Sequence, residues 1–264
     1  MKFSVCIDLM FSNLEFDKRF KAVKDCGIHT VEFWKWSPKN IETVKALLNE
    51  NNLNLSACCL DSRDEALSTA ISRGLLNLES GEPLLKAITE SIPICRTLGT
   101  NALIAVIGLS IDELTYDEQL TNIYNNLMFV KELLEKENIT LLVEPVNPKE
   151  RPTYFLPYAG PMFEILRRIN SPNIKMLYDI YHQSMTGDFS LDEVLENIKY
   201  IGHFHVADCP GRHEPGTGDV DYNRILTAID KAGYPGYIGL EYRATMDDAV
   251  ALNWIKNIPD NYRN

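Results

Sequence analysis

The feature that most restricts the fold is a rhythm. Eight short, β-rich apolar runs recur, each leading through a polar loop into a stretch of helical period. The runs are Phe3–Asp8, Thr30–Trp34, Leu53–Leu60, Ala102–Ile107, Thr140–Glu144, Ile174–Asp179, Tyr200–Ala207 and Tyr237–Glu241. Apolar residues are near-continuous within them, as in parallel strands covered on both faces. Helical period follows in Leu14–Cys26, Ile41–Asn51, the segment 62–98 with its main helix at Glu82–Leu98, and Asp117–Glu137. It returns in Pro161–Ile169, Leu191–Ile198, Tyr222–Ala232 and Asp247–Ile258. Gly27 and Gly99 stand where helices take a C-cap, and Pro161 where a first turn accepts proline. Such alternation implies a parallel sheet with right-handed crossovers. Eight repeats favour an α/β fold closed as a (β/α)8 TIM barrel over an open doubly wound sheet. The 264 residues suit one such domain, spanning 1–264, without a Pro/Gly/Ser linker.

Charge narrows the partners. A net charge of −11, from 26 Lys+Arg against 37 Asp+Glu, argues against nucleic acid and against an anionic membrane surface. No apolar run approaches the roughly 18 residues of a membrane span. The opening residues read directly as a strand rather than a leader. The six cysteines (Cys6, Cys26, Cys58, Cys59, Cys95, Cys209) form no CxxC pair. They read as reduced core residues in a reducing, cytoplasmic setting.

In a (β/α)8 barrel the active site lies at the carboxyl ends of the strands. The fifth run ends on Glu144, the sixth on Asp179 and the eighth on Glu241, while the seventh carries His205 near its end. Each alone has an ordinary explanation: a strand-ending acid caps a helix, and a histidine can sit satisfied in a core. Together, three carboxylates at one barrel mouth repel one another unless a divalent cation joins them. Three oxygens and one nitrogen suit Mg2+, Mn2+ or Co2+, with Zn2+ as a further option.

Other polar residues gather near these ends. His182 lies three residues beyond Asp179, and Arg212, His213 and Glu214 follow the seventh run in a Gly-rich loop. Arg212 either grips a substrate oxygen or carboxylate through its forked donors or pairs with Glu214 at the surface. Glu32, inside the apolar second run, is either a barrel-interior partner or a site residue. Trp34 and Trp36 are candidates for a pocket wall or for packing, and Asp221 for a helix cap.

At these residues the chain resembles the hydroxypyruvate isomerase family, within the xylose isomerase-like TIM barrels that also include ketose 3-epimerases. The segments that carry the resemblance are Leu9-Met10-Phe11, Val143-Glu144-Pro145, Asp179-Ile180-Tyr181-His182-Gln183, Arg212-His213-Glu214-Pro215 with Gly218, and Gly233–Tyr242. The resemblance implies a metal-assisted aldose–ketose type isomerase of carbohydrate metabolism, acting on a small keto acid or sugar. It implies Glu144, Asp179, His205 and Glu241 as metal ligands, with Glu144 and Glu241 also forming the acid/base pair. His182, Arg212 and Glu214 are implied as substrate-binding, and a homo-oligomer by analogy. Hydroxypyruvate isomerases commonly carry Gln where this chain has His205, whereas ketose epimerases carry His. Cys58-Cys59-Leu60 and Ala105-Val106-Ile107 stand where relatives offer polar contacts, which implies a different or larger substrate than hydroxypyruvate.

Three rivals remain. A 3-epimerase shares the metal, the enediolate and the two glutamates, so it is the nearest. A phosphodiester-cleaving barrel related to the apurinic endonucleases is disfavoured by the acidic balance and by too few histidines for a multi-zinc cluster. A non-catalytic sugar-binding barrel would not require two opposed bases.

Overall fold

The computed structural model describes residues 1–258, so the last six positions of the expected 1–264 domain lie outside the described residues. The strands are β1 (Lys2–Cys6), β2 (Thr30–Lys35), β3 (Asn54–Cys59), β4 (Ala102–Val106), β5 (Thr140–Glu144), β6 (Ile174–Asp179), β7 (Ile201–Val206) and β8 (Tyr237–Leu240). They form a closed barrel in sequence order, every neighbour parallel. Closure comes from β1 lying along β8, in register from Lys2 beside Tyr237 to Val5 beside Leu240.

The helices are α1 (Phe16–Asp25), α2 (Ile41–Glu50), α3 (Glu65–Ser72), α4 (Gly81–Leu98), α5 (Tyr116–Glu137), α6 (Ala159–Ile169), α7 (Ile180–Thr186), α8 (Leu191–Glu196), α9 (Tyr222–Lys231) and α10 (Asp248–Ala251). Local chemistry explains their ends. Thr115 and Glu118 form a reciprocal capping box that starts α5, and Gly99 at φ +77° closes α4 in the left-handed region. Two expected helices are shorter than their periodicity suggests. Leu191–Ile198 stops at Glu196, before a 3-10 turn at Ile198–Tyr200. Asp247–Ile258 is α10 followed by a 3-10 segment, Leu252–Asn257. One helix, α7, has no counterpart in the sequence pattern. Its Ile180, Tyr181, His182 and Gln183 are all buried, so no polar face marks a helical period.

Strand alternation divides the apolar residues between two cores. Leu141 and Val143 join the large cluster between barrel and helices, whereas Leu142 meets Ala57, Ile104 and Leu177 in a small separate cluster. Elsewhere the interior is polar. Glu32 on β2, buried, accepts hydrogen bonds from Ser4 (2.5 Å), Ser56 (3.0 Å) and His203 (2.9 Å). A buried carboxylate without such partners would be costly, so these hydroxyls and the imidazole are what let it sit there. Of its two expected roles, Glu32 takes that of barrel-interior partner, with one reach into the site described next.

No described helix is long and apolar enough to cross a membrane, and all six cysteines are free.

Candidate metal and active site

Glu144 closes β5, Asp179 closes β6, His205 stands one residue before the end of β7, and Glu241 follows the last residue of β8. Parallel register sets them level: Asp179 pairs with His205, and Val206 with Leu240. Glu241 extends the ladder by one bond, its N–H donating to the Val206 carbonyl at 3.3 Å. One ligand atom from each of the four falls within 4.8 Å of the others. The four strand ends converge, as their positions in the sequence imply.

Each side chain is aimed by a neighbour. Pro145 ends β5, and the Tyr154 hydroxyl, donating to the Glu144 carbonyl at 2.8 Å while accepting from the Ile107 N–H at 2.7 Å, ties the ends of β4 and β5 together. Asp179 splits its work. One oxygen caps α7 by accepting from the N–H groups of Tyr181 (2.8 Å) and His182 (3.3 Å), which leaves the other, Oδ2, free for the site. His205 is held from beneath. Its Nε2 lies 2.8 Å from Glu32 Oε1, without the alignment of a regular hydrogen bond, and its Nδ1 faces Glu241 Oε2 at 3.3 Å. Gly239 makes this arrangement fit. A Cβ there would stand 2.5 Å from His205 Cδ2, 2.6 Å from Glu32 Oε1 and 2.7 Å from His203 Nε2.

Of the four, Glu241 is the most heavily engaged. Trp34 Nε1–H donates to Oε1 at 2.8 Å, and Arg212 donates to Oε2 at 2.6 Å. Arg212, in the left-handed region at φ +55°, also reaches Glu150 at 3.5 Å and Asp179 at 3.9 Å, and it lies over the Tyr181 ring. It therefore turns inward to the site rather than pairing with Glu214. Glu214 stands apart from these four residues, both of its oxygens accepting from Thr245, one from the N–H at 2.9 Å and one from the hydroxyl.

The electrostatics follow from burial and from these partners. Burial raises Glu144, His205 offsets part of that, and Glu241 and Asp179 add to it, so its carboxyl is pushed up to about 8. Burial would raise Glu241 as well, but His205, Arg212 and Trp34 outweigh it and hold that carboxyl well below the usual range. Burial would lower His205, yet Glu32 and Glu241 raise it well above an ordinary imidazole. For His182 burial prevails, and its pKa is lowered.

Six atoms of the described buried side chains have no hydrogen-bond partner: Glu32 Oε1, the Tyr178 hydroxyl, both His205 ring nitrogens, Arg212 Nε and Asp179 Oδ2. Asp179 Oδ2 and, once the ring gives up its proton, His205 Nδ1 stand unpartnered beside the two glutamates, a donor group that suits a divalent cation. The donor set thus fits such an ion. A second grouping, Glu32 with His203 and His205, lies deeper in the barrel. In that grouping the Glu32 carboxylate is already shared between the two imidazoles, at 2.9 Å from His203 and 2.8 Å from His205.

Four residues of the site region have no motif to announce them. Of the two wall or packing candidates, Trp34 is exposed and hydrogen-bonded to Glu241, while Trp36 is buried and donates to Ser91. Glu32 supports His205, Glu150 accepts from the Tyr181 hydroxyl at 2.9 Å, and Asn147 contacts His182. Polar residues at Ser4, Glu32 and Ser56 on three successive apolar strands were the one available signal for the polar interior.

Residues 20–258 match the family described as xylose isomerase-like TIM barrel. A hydroxypyruvate isomerase of Escherichia coli is 29% identical over 97% of this chain and 98% of its own length. A 2-oxo-tetronate isomerase of Cupriavidus necator is 28% identical over 97% of each. Among solved structures, an AP endonuclease of family 2 from Brucella melitensis superposes with a TM-score of 0.87 at 24% identity, covering 98% of this chain and 99% of that one. The chain belongs to the xylose isomerase-like TIM barrel family. Within it, full-length likeness to named isomerases makes this protein an isomerase.

Proposed function

We propose that the protein isomerises a small hydroxy-keto acid or sugar, of the hydroxypyruvate or 2-oxo-tetronate kind, by shifting a proton through an enediolate. The observation that carries this reading is the meeting of four strand-end ligand atoms within 4.8 Å, two of them orphaned. Glu144, Asp179, His205 and Glu241 would hold one divalent ion, Mg2+, Mn2+ or Co2+, with Zn2+ also accommodated. Such an ion, when bound, supplies Lewis acidity and a template for the substrate's carbonyl and hydroxyl oxygens.

The two glutamates are the acid/base pair. One carboxylate takes the proton from the hydroxyl-bearing carbon beside the carbonyl, the second carboxyl returns a proton to the former carbonyl carbon, and the hydroxyl proton passes to the former carbonyl oxygen as the enediolate forms and collapses. Their surroundings suit different parts. Glu241 is fixed in place by Trp34 and Arg212, whereas Glu144 meets His182 Nε2 only at 3.8 Å and keeps a lone pair for the substrate. His182 and Arg212 line the same mouth and orient the substrate's oxygens. The role expected of Glu214 becomes indirect, since Thr245 occupies its carboxylate and leaves it to brace the loop that presents Arg212.

His205 favours a second reading, a ketose 3-epimerase, because an imidazole at this ligand position is the family's epimerase choice. A panel of keto acids, tetroses, pentoses and hexoses in D2O with Mn2+ or with chelator, followed by proton NMR, separates the two. Isomerisation gives deuterium with an exchanged carbonyl position; epimerisation gives deuterium at a carbon whose neighbouring carbonyl stays put. Turnover undiminished by chelator would remove the ion from the mechanism.

A further inference from the structure

Asn147, wholly buried in the loop after β5, belongs to no motif considered so far. Its side-chain oxygen accepts two backbone N–H bonds, from Lys149 at 2.9 Å and Glu150 at 3.0 Å. That fixes which way the amide faces, since the oxygen must meet the two donors. The amide nitrogen is then the atom 2.6 Å from His182 Nδ1. An amide NH2 only donates, so Nδ1 must be the unprotonated, accepting nitrogen of the ring. The hydrogen of a neutral His182 therefore sits on Nε2. That nitrogen looks into the mouth of the barrel, 3.5 Å from Asp179 Oδ2 and 3.8 Å from Glu144 Oε1. Both distances exceed those of a regular hydrogen bond, so the N–H is free to meet an oxygen placed between them.

We propose that Asn147 is a positioning residue that locks His182 in the Nε2–H tautomer, so that the ring is a hydrogen-bond donor to a substrate oxygen. The opposite tautomer would turn a lone pair toward the Asp179 carboxylate and leave the amide donor facing an N–H. A donor aimed at the carbonyl oxygen is effective because negative charge grows there as the enediolate forms. This catalytic consequence rests on the isomerase reading above; the tautomer itself does not.

The substitution Asn147→Asp isolates the effect. An aspartate keeps one oxygen for the Lys149 and Glu150 N–H groups and offers the second as an acceptor, so it calls for hydrogen on Nδ1 instead. Nitrogen-15 NMR of ring-labelled histidine, with the His182 signals assigned by their loss in His182→Gln, reads the tautomer without any substrate. The wild type is expected to show unprotonated Nδ1 and protonated Nε2, and Asn147→Asp the reverse. With an active substrate in hand, kcat should fall about 10- to 1,000-fold, as when a single oxyanion donor is removed, while KM changes less. Asn147→Ala should lose the tautomer bias without imposing the opposite one. A wild-type ring carrying hydrogen on Nδ1 would overturn the inference even if no variant folds. So would an Asn147→Asp ring that keeps hydrogen on Nε2. If the tautomers behave as expected but no substrate is isomerised, the assigned reaction fails and the positioning role of Asn147 stands.

Discussion

Trp34 and Glu241 are 207 residues apart in sequence, yet the indole N–H of the first donates to the carboxylate of the second at 2.8 Å. The bond spans the barrel seam from β2, past β1, to the end of β8, and it orients a proposed metal ligand and base from a side chain that is itself 42% exposed. Hydrogen bonds to charged groups contribute about 1.5–3 kcal/mol when shielded from water, and less where solvent competes.

Trp34→Phe keeps the ring and removes this donor. Its expected effect is a loss of roughly 1 kcal/mol at the site, about fivefold in turnover or in affinity for Mn2+. The melting temperature should stay close to wild type. Calorimetric titration with the ion and steady-state kinetics read the two quantities. If both stay within error of wild type, Trp34 is only part of the pocket wall.

The titration of the site gives a sign for stability in the presence of chelator. Glu144 is raised from 4.5 to about 8 by burial, which His205 offsets in part and Glu241 and Asp179 reinforce. A carboxyl whose folded pKa lies above its unfolded value contributes most below the unfolded value and loses that contribution as pH rises through the folded one. His205 acts in the same direction, because Glu32 and Glu241 outweigh burial and raise it. Glu241, held well below its usual range, stays ionised throughout and adds no slope there. In chelator the melting temperature should fall between about pH 5 and about pH 8. Ion binding requires Glu144 and His205 to give up protons, so Mn2+ affinity should rise over the same interval. A chelated protein that gains stability with pH, together with an affinity independent of pH, would refute this account.

His205→Gln exchanges the single nitrogen ligand for an amide oxygen while leaving a donor that can face Glu32. Imidazole favours Co2+ and Zn2+, whereas oxygen donors suit Mg2+ and Mn2+. The variant should therefore lose affinity for Co2+ and Zn2+ by about tenfold more than for Mn2+. Competition titrations measure that ratio. An unchanged ratio would mean that Nδ1 does not reach the ion.

Much of this architecture was legible in the residues themselves. Parallel strands buried on both faces write continuous apolar runs, so Thr140–Glu144 and Ile174–Asp179 could be bounded to the residue. The proposed ligands were legible for a related reason: an acid closing such a run has few places to go except the barrel mouth. What stayed hidden depends on contacts between distant segments. Nothing near Trp34 in the chain points to Glu241, and nothing near Asn147 points to a ring 35 residues on. For Asp179 the cap weighed as its ordinary role is present, one oxygen capping α7, but the helix it starts stayed hidden because its four buried residues carry no amphipathic pattern. Glu214 sits two residues from Arg212 and was expected beside it in the site; the backbone turn at Arg212, φ +55°, sends the two side chains to different partners.

The bare backbone at Gly239 has a consequence for how this active site can be altered. With no side chain there, His203, Glu32 and His205 crowd into one storey of the barrel, and any larger residue would evict one of them. Positions 205 and 239 are thus tied together across neighbouring strands. A histidine transplanted into a barrel that lacks the glycine would have nowhere to lie. Redesigning the proposed nitrogen donor is a matter of changing a pair.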